Sequence, residues 1–282
     1  MIRKHEQVKS GIPRGLVTSV HLTETCALAG AEESQARLLP QLIVQVETTV
    51  GNVQDVQMTQ TIQEDLAQHQ LLPDEQIVDT GYVDADLLVS SKENYGISLV
   101  GPVLSDNSWQ AKAGKGFDLA HFHLDWQAER ATCPKGQTSQ SFRPAGERVE
   151  VVFPKETCAG CLVRSDCTKS ATTGRVLHVR SQAAHEALQA RRQEQDTPAF
   201  RQDYQTRAGI EGTLSQAVRG MGMRRARYDG LHKTHLEHVL TAVAINLVRI
   251  VAVLTHTPRG ETRRSNFTRL ALHPRFQSQV AA

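Results

Sequence analysis

"YQTRAGIEGTLSQAVRGMGMRRARYDG", residues 204–230, is the stretch on which the reading of the chain turns. It reads as a helix, and Tyr204, Arg207 and Glu211 stand 3, 4 and 7 positions apart, which predicts one helical face carrying all three. Arg207 and Glu211 could be a plain surface ion pair, although Arg N-terminal to Glu is the poorer order. Gly209 and Gly212 each disfavour the helix by about 1 kcal/mol relative to alanine. That cost is expected where another backbone, or DNA, approaches closely. One acid, Glu211, stands among arginines, and the stretch ends in the basic run Arg224-Arg225-Ala226-Arg227.

Outward from this stretch, 282 residues suffice for one large domain or two smaller ones. Hydrophobic content of 39% and charged content of 22% are those of a globular protein rather than a disordered one. The start, MIRKHEQVKSGIP, has no apolar core, so no secretory signal is expected and the cytoplasm is the expected location. The longest apolar run, Val239–Leu254, is short for a membrane span and is interrupted by Asn246 and Arg249. It predicts a buried core helix and no membrane. The net charge of +2 hides an asymmetry. Residues 1–163 hold 13 Lys+Arg against 21 Asp+Glu (net −8), and residues 164–282 hold 19 against 9 (net +10). A basic half of this kind faces a polyanion or is a solvated surface.

Strands are predicted over 15–25, 41–49, 76–79 and 97–103, and helices over 53–70 and 84–92, the latter with Asp84 as N-cap. Strands alternating with helices argue for an α/β sheet with at least one crossover. Residues 104–180 break the rhythm with Gly, Pro, Ser and Cys and short strands at His121–Trp126 and Val149–Phe153. From His185 the chain turns helical, and Thr234-x-x-Glu237 predicts a capping box. Asp79 stands at the end of a predicted strand, where ligands bind in open α/β sheets; a turn cap before Gly81 is the plainer use.

Val78-Asp79-Thr80-Gly81-Tyr82, followed far downstream by Tyr204-x2-Arg207-x3-Glu211, resembles the DDE transposases of bacterial insertion sequences. The group with a cysteine-containing insertion before the last acid is the most similar. The run Gly222–Gly230 and the helix ending Ala244-Ile245-Asn246-Leu247-Val248-Arg249 fit that group, and the resemblance covers most of 15–255. It implies an α/β fold: a ribonuclease-H-like mixed sheet with a cysteine-containing insertion and a C-terminal helical region. The implied division is a core first part at 15–103, an insertion at 104–184, a helical completion at 185–257 and a basic tail at 258–282. The resemblance further implies three acids holding two Mg²⁺ (or Mn²⁺) ions for phosphoryl displacement. Asp79 would be the second acid and Glu211 the third, with Tyr204 and Arg207 placing the DNA backbone. The first acid should end the first strand, where Glu24-Thr25-Cys26-Ala27 offers only Glu24. The chain starts almost at that strand, so the expectation is a truncated copy lacking the family's N-terminal DNA-binding region, active only if the first acid functions. Transposon ends, target DNA and a second copy of the chain are the implied partners.

Cys133, Cys158, Cys161 and Cys167 suggest a structural zinc site, against unliganded buried thiols. His121 and His123 could substitute as ligands but read as strand residues, and Cys26 reads as core. Arg219, Arg224, Arg225, Arg227 and Lys233 crowd one region loosened by glycines and are expected to bind phosphate without reading bases. Two alternatives to a catalytic domain stay open: a non-catalytic zinc-containing DNA-binding remnant, and a zinc-containing nuclease of similar fold.

Overall fold

The structure is a computed structural model and describes residues 2–7, 17–26 and 40–257. The basic tail expected at 258–282 lies outside the described residues. In chain order the elements are β1 (Ile2–Gln7), β2 (Thr18–Glu24), β3 (Ile43–Val50), α1 (Asp55–Gln68), β4 (Glu75–Ile77), α2 (Ala85–Tyr95), β5 (Ser98–Val100) and α3 (Trp109–Ala113). There follow β6 (His123–Asp125), β7 (Arg130–Thr132), β8 (Ser141–Ala145), β9 (Arg148–Val152), α4 (Lys155–Ala159), α5 (Arg164–Cys167) and β10 (Val176–Arg180). Helices α6 (Gln182–Glu194), α7 (Pro198–Gln205), α8 (Ala208–Gly220) and α9 (Leu231–Leu254) complete it. The class is mixed α/β, as expected. Among the described residues the strands lie in four small sheets. The chain divides into two compact units, Arg3–Gly51 with the chain from Thr206 onward, and Asn52–Gln205.

In the first unit the sheet order is β1-β2-β3, with β2 antiparallel to β3. Every residue of β2 is buried. Val20 and Leu22 pack against Ile210, Leu214 and Ala217 of α8 and Ala242 and Ile245 of α9. Each fully buried aliphatic of this set contributes about 1.5–3 kcal/mol. Helix α9 is bonded to β3 through polar groups as well. The Asn246 amide brackets Ile43, accepting from its N–H and donating to its C=O, both at 2.8 Å. His238 Nδ1 lies 2.8 Å from Thr48 Oγ1. Two expectations fail here. The run 239–254 is not a buried core helix: its inner residues Thr241, Ala242 and Ile245 are buried while its opposite face is open. Nor does Thr234-x-x-Glu237 form a capping box. The helix starts earlier, at Gly230, so Thr234 donates back to the Gly230 carbonyl and Glu237 accepts from the Arg227 N–H.

In the second unit α1 buries Met58, Ile62 and Leu66, and β4 pairs parallel with β5 through the crossover helix α2. Asp84 caps α2 as expected, accepting from the Leu87 N–H at 2.8 Å, and Gly96 at φ +72° ends it. Residues 104–180 carry a hairpin, β6–β7, and an antiparallel sheet, β10-β9-β8, around Phe122, Ala131, Val151, Phe153, Leu177 and Val179. His121 and His123 do not share a strand, because His121 ends a 3₁₀ turn before β6 begins.

Candidate active site

Asp79 follows the last residues of β4 and opens the 3₁₀ turn Thr80–Tyr82. Its carboxylate does not cap that turn. Instead the Tyr204 hydroxyl donates to Asp79 Oδ1 at 3.4 Å, joining two motif residues 125 positions apart. Tyr204 is held in place by stacking on Phe200 (centroids 5.8 Å, interplanar 12°), which packs on Ile77 and Val100. Tyr82, fully buried, has its phenol pKa driven far above the usual value, by burial first, then by Asp55 and Asp79. It is therefore a neutral hydroxyl beside two acids. Asp55, at the first position of α1, was not anticipated. Its closeness explains Gly81, where a Cβ would stand 2.8 Å from Asp55 Oδ2.

Glu211 lies in the other unit, in the first turn of α8, where a carboxylate suits the helix dipole. Its side chain is 48% exposed and 3.1 Å from the Arg207 guanidinium. The single face expected for Tyr204, Arg207 and Glu211 does not form. Helix α7 ends at Gln205, Arg207 is the N-cap residue of α8, and the boundary between the units falls between 205 and 206.

Glu24 is placed differently from Glu211. A register shift at Thr23/Glu24 turns its side chain under α8 and α9. There its carboxylate, 1% exposed, accepts from Thr213 Oγ1 at 2.5 Å and from Arg249 at 3.1 Å. Arg249 also donates to the Gln41 carbonyl and to Thr213, each at 2.5 Å. Gly209 faces the same carboxylate: a Cβ there would be 3.7 Å from Glu24 Oε1. Two residues along from Gly209, Glu211 is roughly 200° around the helix. Glu24 and Glu211 thus sit on opposite sides of α8. Gly212 opens to free space, so no close approach among the described residues accounts for it.

Arg219 ends α8; Arg224, Arg225 and Arg227 lie in the following loop, and Lys233 starts α9, all exposed. Gly222 (φ +72°) and Gly230 (φ +98°) shape the loop. Arg227 leans toward Glu237 at 3.8 Å, a weak exposed pair. A second basic site escaped the sequence reading. Arg148, Arg175, Arg180 and Arg192, with His178 and His185, line a cleft of about 270 Å³ in the second unit. Arg180 pairs with Asp86 and Arg192 donates to the Leu104 carbonyl, so part of the charge is already answered. These arginines come from β9, β10, the loop before it and α6, which left no run to notice. The alternation of β10, with His178 and Arg180 two apart, was the available signal.

The four cysteines of the insertion line one small cavity of about 40 Å³, with Lys135, Arg164 and Arg175. Burial pushes the Cys167 thiol pKa up; Arg175 opposes this, and Cys158, Cys133 and Cys161 add to the rise. Cys133 and Cys158 each start a tight turn, with Gly136 N–H bonding the Cys133 carbonyl at 2.8 Å and Cys161 N–H the Cys158 carbonyl at 3.3 Å. Among the described residues, no three His, Cys, Asp or Glu side chains stand close enough to hold a metal ion as they are. Cys26, expected in the core, is exposed.

Residues 132–251 match the family model described as a transposase DDE domain. The match takes in the cysteines, Glu211 and the basic run; Glu24 and Asp79 precede it. No curated protein and no solved structure matches the chain.

Proposed function

We propose that this chain, whose residues 132–251 match the family model described as a transposase DDE domain, cuts and joins DNA at transposon ends with Asp79 and Glu211 as its metal-binding acids. The observation that carries the reading is the Tyr204 hydroxyl on Asp79, which links the downstream motif to the strand-end acid. Bound Mg²⁺ or Mn²⁺ supplies an activated water or 3′-hydroxyl and stabilises the leaving oxygen. Carboxylate oxygens are the hard ligands such ions take. Asp79 is anchored by a strand end and oriented by Tyr204, and Tyr82 keeps a neutral hydroxyl beside it. Arg207 and the exposed run Arg219–Lys233 bind DNA phosphates. In this reading the antiparallel pair β2–β3, then α1, β4, α2 and β5, is a ribonuclease-H-like core over 15–103. Residues 104–184 are its insertion and 185–257 its helical completion, in a cytoplasmic protein. Asp79→Asn and Glu211→Gln should each lower Mg²⁺-dependent strand cleavage by at least about a hundredfold while leaving DNA binding intact. Cleavage at the parent rate by either variant refutes the assignment.

A second reading is favoured by one observation: the Glu24 carboxylate is already engaged by Arg249 and Thr213. Glu24 then braces α8 and α9 rather than serving as the first acid, and the chain is a zinc-containing DNA-binding remnant that does not cut. Its zinc would be held by Cys133, Cys158, Cys161 and Cys167, which line one cavity. Arg175 would offset part of the tetrathiolate charge. This reading expects salt-sensitive DNA binding, no cleavage with Mg²⁺ or Mn²⁺, and about one zinc per chain, released by Cys158→Ser. Chelator-free protein without zinc removes the metal from this second reading.

A further inference from the structure

Among the described residues, eight of the fourteen exposed large apolar side chains lie on α9. Six of them, Leu236, Leu240, Val243, Leu247, Ile250 and Leu254, follow one another at steps of 4, 3, 4, 3 and 4. This alternation is the seam spacing of paired helices. Exposure along it is high, with Leu240 at 60% and Leu254 at 73%. The helix is also long and apolar enough to cross a membrane. Its inner face argues otherwise. Asn246 is bonded to Ile43, Arg249 to Glu24 and His238 to Thr48, so one side of the helix belongs to the sheet along its length. What remains is a stripe facing outward and needing a partner of matching period.

We propose that this stripe is the seam of a two-fold dimer of the chain, with two α9 helices antiparallel about an axis beside Ile245. The register follows from the spacing. With the axis there, Leu236 meets the partner's Leu254, Leu240 the partner's Ile250, and Val243 the partner's Leu247, leaving no seam residue unmatched. Each layer at the centre sets a leucine against a β-branched residue, so the helices stay evenly spaced. A parallel pair would set Val243 on itself and Leu254 on itself. It would also place Leu240, Leu247 and Leu254 at one seam position and Val243 and Ile250, with Leu236, at the other, largely the reverse of what parallel two-stranded pairs prefer. The antiparallel pair opposes the helix dipoles favourably. The eight apolar residues of this face expose roughly 750 Å², near the ~800 Å² per partner of a standard stable interface. An isologous contact of this kind closes on itself.

The test is the mass of the full chain in solution by light scattering at tens of micromolar. The parent should run at twice the 31.1 kDa chain mass. Val243→Glu and Leu247→Lys should each run at 31.1 kDa with an unchanged circular dichroism melt, since both side chains are about half exposed. Mixing the two variants should restore the dimer, because residue 243 of one chain meets residue 247 of the other. Misfolding cannot produce that rescue. A monomeric parent overturns the proposal. So does a dimer that survives both substitutions, failure of the mixture to pair, or a parent that floats with lipid vesicles through this face.

Discussion

Arg249→Met tests whether Glu24 is a brace. The Glu24 carboxylate is 1% exposed, and Arg249 is its cationic partner at 3.1 Å. The same guanidinium holds the Gln41 carbonyl and the Thr213 hydroxyl. Removing it takes the cationic partner from a buried carboxylate, a change that destabilises by about 3–5 kcal/mol. At 1.36 kcal/mol per factor of ten, amide exchange through opening of the first unit should quicken by roughly two to nearly four powers of ten. The assay is hydrogen exchange over β2, α8 and inner α9. Tryptophan fluorescence is silent there, because Trp109 and Trp126 belong to the other unit. Replacing both partners, Glu24→Leu with Arg249→Met, should recover much of the loss, because an apolar pair removes the stranded charge. Exchange within a factor of three of the parent in Arg249→Met would refute the bracing argument. So would a double variant less stable than the single one.

Gly81→Ala should destabilise the second unit by about 1–3 kcal/mol in a thermal melt, since the new Cβ meets the Asp55 carboxylate. Gly212→Ala should instead stabilise by about 1 kcal/mol, because its site is open; a loss of DNA affinity in that variant would show that DNA approaches α8 there. Burial lowers the His185 pKa in the folded state, against the opposing pull of Glu186 and with Arg192 adding to the fall. The unfolded chain then binds the proton more readily, so stability is full above the ordinary histidine pKa and declines as pH falls through the lowered folded value. Trp126, 5.9 Å from His185, should report this by fluorescence, and His185→Gln should flatten the profile. Replacing Arg224, Arg225 and Arg227 with Ala should flatten the log–log salt dependence of DNA binding by about 0.9 per lost contact, and an unchanged slope would mean the loop binds no phosphate.

What could be read from sequence was local. The strand at 15–25 and the helix at 53–70 follow from side-chain period and the Asp84 cap from one hydrogen bond, and β2, α1 and α2 lie where these signals put them. The spacing of Tyr204, Arg207 and Glu211 also looked local, yet a break at 205–208 puts Tyr204 and Glu211 on separate helices. Spacing states which residues would align if the helix were continuous; it does not state that it is. Glu24 gave no sign of its surroundings for the opposite reason. Its partner Arg249 is 225 positions away, beyond any window in which a pattern can be seen. The apolar run of α9 announced burial, but composition cannot say which side of a helix meets its own sheet and which is left over.

The first unit is made of two pieces of chain, before Asn52 and after Gln205, with the whole second unit threaded between them. This sets an order of events during synthesis. The 154 residues 52–205 can leave the ribosome and fold as one uninterrupted piece. The β2–β3 hairpin, made earlier, has to wait for them before α8 and α9 arrive to cover Val20, Leu22 and Ile43. At 5–20 residues per second the wait is roughly 8–30 s, long beside the microseconds in which hairpins form. For that interval the nascent chain carries an uncovered sheet face, a ready substrate for chaperones.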